Sequence, residues 1–181
     1  MFSFSYIKAE LILSIIIFPH LCFAQGQTQQ VGDLLQVAIP VIALGATLTH
    51  DNETAGAKQL FKAMVVTQVS TIALKQITHE RRPNGHCCDS FPSAHTAMAF
   101  TGASFIHKRY GLKYAIPAYV AATYVGYSRV HVKAHYTKDV LAGAALGAAS
   151  SFYFTKPYKG FSVEPTAYRG GGLGVSLSKT W

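Results

Sequence analysis

Charge is what this chain has least of: only 13% of its 181 residues are Asp, Glu, Lys or Arg, against roughly 25% in an ordinary soluble domain. So few charges can hardly coat five soluble helices, which points to a membrane or an unusually apolar bundle. Acids are scarcer than bases, eight against sixteen, for a formal charge of +8. That balance suits anionic partners: phosphate esters, acidic lipid surfaces or nucleic acid. Nucleic acid is set aside, because no binding motif for it is present and most of the excess lies in or beside three clusters described below. Cysteine is also rare. Apart from Cys22, only the adjacent Cys87 and Cys88 occur, and with His79 and His86 they lack the spaced pairs of zinc frameworks. They could form a vicinal disulfide, pair between chains or stay as two loop thiols. No internal repeat or low-complexity tract is present, which leaves a single domain of sufficient length to bury a core.

What the chain does have is apolar helical sequence. Residues 1–24 read as a secretion signal: Lys8, the apolar run LILSIIIF, then Cys22-Phe23-Ala24 before Gln25, with an uncleaved first membrane span as the alternative. Apolar, Ala-rich segments follow near 34–49, 58–76, 93–109, 113–129 and 136–155, separated by short polar or Gly/Pro-bearing links. They predict an all-α, antiparallel bundle of five to six helices, membrane-embedded, with its site at one end. The apolar stretches run about 14 to 18 residues, short of the roughly 20 of a typical span, so a soluble bundle is the competing form. GAALG at 143–147 offers a small-residue face for close helix contact. After 160 the chain changes character, and alternating Leu173, Val175 and Leu177 suggest a short strand or extended tail. The domains so read are 1–24, 25–160 and 161–181.

Three clusters carry chemistry: KQITHERRP at 75–83, PSAH at 92–95 and SRVHVKAHYTKD at 128–139. Lys75, Arg82 and Arg129 are cations of the kind that clamp a phosphoryl group. Ser93 and His95 fall at the mouth of a helix, whose N-terminus attracts anions. His135 and Asp139 stand four apart, so on a helix they would share a face and the carboxylate would fix the imidazole. Short links make neighbouring helices antiparallel. The end of the second helix, the start of the third, the end of the fourth and the start of the fifth then meet at one end, and the clusters converge there. Lys58, Lys62, Lys108, Arg109, Lys113, Lys156 and Lys159 gather at the other end. In a membrane the positive-inside rule would place that end in the cytoplasm and the site on the periplasmic side.

Lys75, six residues, Arg82-Pro83; Pro92-Ser93-Ala94-His95; Ser128-Arg129, five residues, His135, three residues, Asp139: in this order and spacing the chain resembles the type-2 phosphatidic acid phosphatase and haloperoxidase superfamily. Ala94 stands where that family usually has Gly, which keeps the backbone N–H but adds a methyl near the phosphate. The stretch from Pro83 to Pro92 is short, so the loop over the site should be small. The resemblance implies His135 as the nucleophile, Asp139 as the holder of its tautomer, and His95 as acid to the leaving group and then base to water. Lys75, Arg82, Arg129, the Ser93 hydroxyl and the N–H groups around Ala94 would bind the phosphoryl oxygens, with no metal or other cofactor. The expected function is hydrolysis of a lipid phosphate or diphosphate (phosphatidate, phosphatidylglycerophosphate or isoprenyl diphosphate) in a bacterial cell envelope. A soluble periplasmic acid phosphatase is the alternative. More distant are a vanadate-dependent haloperoxidase and, from another class, a non-catalytic bundle that binds anionic lipid.

Overall fold

A computed structural model describes residues 26–50, 54–86, 88–158, 160–167 and 173–180; the signal-sequence expectation for 1–24 and the side chain of Cys87 lie outside these residues. Five helices follow in chain order: α1 (Gln27–His50), α2 (Ala55–Thr78), α3 (Ala94–Tyr110), α4 (Leu112–His131) and α5 (Thr137–Phe154). Each expected helix is present. Their ends have local causes. Ser93 caps α3, its hydroxyl accepting the Thr96 N–H at 3.5 Å, and Gly111 separates α3 from α4 with a φ of 102° that a side chain would rarely adopt. His79 closes α2 in the left-handed region, and its N–H reaches the Lys75 carbonyl at 3.1 Å.

Two elements depart from expectation. Helix α1 begins at Gln27, well before position 34, because its polar first turns pack against the end of α4 instead of serving as a linker. Gly32 permits this approach: a Cβ there would lie 2.2 Å from Ser128 Oγ and 2.7 Å from an Arg129 nitrogen. The tail forms two strands, β1 (Gly160–Ala167) and β2 (Leu173–Thr180), paired antiparallel from Gly160 opposite Thr180 to Ala167 opposite Leu173. The second was expected; the first lacked alternation and was not.

The core is thin and built from small residues. Ile39, Ala99, Ala103, Ala122 and Val125 form one cluster, and Ala43, Leu60, Phe105, Ile106 and Ala115 a second nearer the opposite end. The GAALG face does what its composition suggested: Gly143 and Gly147 press α5 against the backbone of α3. Hydroxyls tie α2, α3 and α5 together across the interior, Thr67 to Thr101 at 3.0 Å, Ser150 to the Ala63 carbonyl at 2.9 Å and Ser151 to the Thr101 carbonyl at 2.6 Å. Large apolar side chains face outward instead, among them Ile42, Phe61, Val69, Val120 and Leu141. So many large apolar side chains on the exterior suit contact with lipid or with another protein. Among the described helices, Gln27–Thr49 is long and apolar enough to cross a membrane.

Candidate active site

The antiparallel course of α2 to α5 brings the three clusters to one end of the bundle, as their connectivity required. Lys75 lies in the last turn of α2 and Arg82 in the following loop, where the Arg82 N–H reaches His86 and Gly85 closes a tight turn on the Arg82 carbonyl. That loop is small, as the short spacing implied. Arg82 is held in a fork by Asp89, Nε to Oδ1 and a terminal nitrogen to Oδ2, both at 2.8 Å. These bonds keep the Asp89 carboxyl below the usual range. The Lys75 ammonium donates to the Asp89 backbone carbonyl.

Ser93 begins α3, and its buried hydroxyl meets Thr96 Oγ1 at 3.0 Å. Here it serves the helix start, where the N–H groups of Ala94 and His95 have no intrahelical acceptor. Its backbone N–H donates to the Asp139 carbonyl at 3.0 Å, which joins the starts of α3 and α5. Arg129, at the end of α4, is buried and held through each of its three nitrogens: Nε to Ser128 Oγ at 3.0 Å, NH1 to Asp33 Oδ1 at 2.8 Å and NH2 to the Gln29 carbonyl at 3.0 Å.

His135 does not lie on a helix with Asp139. Lys133 takes a left-handed φ of 54°, and the chain folds back so that the Ala134 and His135 N–H groups both reach the Arg129 carbonyl, at 3.0 and 3.2 Å. Helix α5 starts only at Thr137, and Asp139 is its capping carboxylate, accepting the Tyr136 N–H at 2.9 Å. The same oxygen accepts the Ser90 hydroxyl at 2.5 Å and lies 3.6 Å from His135 Nδ1. The two side chains therefore meet across a loop-to-helix junction and not along a helix face. Neither His135 Nδ1 nor Asp139 Oδ1 has a hydrogen-bond partner among the described residues. Burial, with the positive charges of Lys75 and Arg82 beside it, pushes the His135 imidazole down to about 4; the Ser90 backbone and Asp139 act in the other direction without offsetting this. At neutral pH the ring is uncharged and keeps a lone pair. That is the state a nucleophile needs.

All eight expected site residues thus gather at one end. Four more groups join them: Asp33 and the Gln29 carbonyl from α1, and Asp89 and Ser90 from the loop before α3. Their spacing carried no motif. One signal was available, since Asp33 is the only Asp, Glu, Lys or Arg in α1, and a lone charge in an apolar helix tends to face inward towards a partner. Cys88 is disulfide-bonded, with φ at 87°.

The model of the PAP2 superfamily matches residues 56–160, more than half of the chain, and the chain belongs to that superfamily. Among curated relatives it is similar to a "Lipid A 1-phosphatase" of Porphyromonas gingivalis, 42% identical over 69 residues, which are 36% of this chain and 16% of that protein. It is also similar to a "Lipid A 4'-phosphatase" of Helicobacter pylori, 28% identical over 145 residues, covering 72% of this chain and 71% of the relative. The crystal structure of Aquifex aeolicus LpxE superposes with a TM-score of 0.61 at 23% identity, over 80% of this chain and 92% of the other, and shares its fold.

Proposed function

We propose that this protein is a membrane phosphatase that removes a phosphate from a lipid, lipid A phosphate foremost, through a phosphohistidine on His135. The observation that carries the proposal is the convergence of Lys75, Arg82, Arg129, His95, His135 and Asp139 at one end of a bundle with an apolar exterior. The names of the relatives support the lipid class. So does a groove of about 360 Å³ between α1, α2 and α3, lined by Val37, Val41, Leu44, Phe61 and Met98. Val37 is one turn from Asp33 and Met98 one turn from His95, so an acyl chain in the groove would hang directly below the site.

The steps follow from the groups present. A lone pair of the neutral His135 ring forms the N–P bond while the P–O bond to the lipid breaks, and His95 gives its proton to the departing oxygen. Water then loses a proton to His95, attacks phosphorus and breaks the N–P bond, releasing phosphate. Lys75, Arg82, Arg129 and the N–H groups at the start of α3 face the charge that spreads over the phosphoryl oxygens.

Detergent-solubilised protein should release phosphate from lipid A and phosphatidate in excess EDTA, and much faster than from a soluble phosphomonoester. Vanadate, which adopts the five-coordinate geometry of the transferring phosphorus, should inhibit. Equal rates on soluble esters would favour the periplasmic acid phosphatase, and activity lost to EDTA and restored by magnesium would remove the protein-only account of charge neutralisation.

We also place the site on the periplasmic side, because the basic residues at the opposite end favour the cytoplasm. In a background free of native cysteines, Cys substituted for exposed Asn84 should react with an impermeant thiol reagent in spheroplasts, and Cys substituted for exposed Lys113 should not. The reverse labelling would invert the orientation.

A further inference from the structure

We propose that Asp33, on α1 and outside the three motif clusters, is a positioning residue that holds His95 by Nε2 and so leaves Nδ1 for proton transfer at the leaving group. Asp33 Oδ1 lies 3.1 Å from His95 Nε2 and 2.8 Å from Arg129 NH1, one oxygen shared by two site side chains. The Arg129 bond fixes the carboxylate, since Arg129 is itself buried and held by Ser128 and Gln29. Gly32 admits the whole arrangement by letting α1 touch Ser128 and Arg129. A carboxylate that accepts from one imidazole nitrogen selects the tautomer that carries its proton there, orients the ring and stabilises the imidazolium formed when the other nitrogen takes a proton. The inference rests on the phosphatase reading and adds a residue that the family motifs do not contain.

The group is small enough to remove almost isosterically. With Asp33→Asn, single-turnover phosphorylation by an alkyl phosphate should fall by about 10-fold or more, up to the about 10²- to 10⁴-fold that loss of a general acid costs. A nitrophenyl phosphate, whose leaving group needs little protonation, should lose far less. In a His95→Ala background Asp33→Asn should cost the alkyl ester almost nothing more, because the two residues act through one function. Asp33→Glu should restore part of the rate. If Asp33 only braces Arg129, both esters would lose equally and the loss would persist in His95→Ala, which would overturn the proposal. Should Asp33→Asn fail to fold, ¹⁵N-histidine NMR of the unaltered protein decides: neutral His95 should carry its proton on Nε2, and an Nδ1–H tautomer would overturn the assignment. Absence of phosphate release from the unaltered protein with either ester would instead overturn the phosphatase reading, and this proposal with it, while the tautomer would still report the contact.

Discussion

Replacing His135 by Ala is expected to bring phosphate release to background for every substrate, whatever its leaving group. The ring is uncharged at neutral pH and stands beside Lys75 and Arg82, so its removal would close the proposed covalent route. His95→Ala should behave differently. Proton donation contributes typically about 10²- to 10⁴-fold, and that contribution shrinks as the leaving group improves. A nitrophenyl ester should therefore recover much of its phosphorylation rate in His95→Ala and none in His135→Ala. The comparison belongs in the burst phase, because in the proposed mechanism His95 also activates water, and its loss should then trap the phosphoenzyme. Acid-labile label from ³²P substrate should build up on His95→Ala and be missing from His135→Ala. Label on His135→Ala, or equal losses for both esters in both variants, would mean that the two roles are wrongly assigned.

Alanine at Gly147 or Gly143 is expected to damage the protein more than most core substitutions, although both variants only add a methyl. A Cβ at Gly147 would come 2.1 Å from the Ala97 carbonyl oxygen and 2.9 Å from the Thr101 nitrogen, and one at Gly143 would come 2.5 Å from the Ser93 carbonyl oxygen. These neighbours are backbone and cannot rotate away, so α3 and α5 must separate. Overpacking typically costs about 1–3 kcal/mol, and a clash this deep belongs at the top of that range. The gain in helix propensity from Gly to Ala, about 1 kcal/mol, does not offset it. Thermal unfolding in detergent should show a clear drop for both variants, while Ala145→Leu on the exposed face should leave the midpoint near its original value. Gly143→Ala should also slow turnover in the fraction that folds, because the displaced backbone is the start of α3 that carries His95. Unchanged midpoints would show that the two helices have more room than the contacts imply.

Much of this was legible in the chain itself. Antiparallel helices on short links can bring Lys75, Ser93, Arg129 and Asp139 together in one way only, and the helix ends were marked by Ser93 and Gly111, whose chemistry is local. What could not be read depends on contacts distant in sequence. Asp33 meets Arg129 across 96 positions, and no spacing rule encodes such a pair. Asp89 and Ser90 lie in a loop whose path depends on its hydrogen bonds to Glu80 and Asp139. The helical relation between His135 and Asp139 failed because a four-residue interval is compatible with a helix without requiring one. Here the turn at Lys133 and the capping of α5 by Asp139 took precedence.

The fork between Arg82 and Asp89 changes what substrate binding means at this site. A bare cluster of cations would gain the full attraction of an arriving anion and would lose it steeply as ionic strength rises. Here Arg82 already carries an internal anion on Nε and one terminal nitrogen, so a phosphoryl group taken up at those donors, as the proposed function has it, would exchange with the Asp89 carboxylate and gain the difference between two ion pairs. The displaced pair is half open to solvent, with side chains 28% and 49% exposed, and such pairs contribute roughly 0–1 kcal/mol. Exchange is therefore cheap, yet the same carboxylate stands ready to reclaim Arg82 once the phosphoryl charge leaves. Association should therefore depend somewhat less steeply on salt than it would at an unpaired cation.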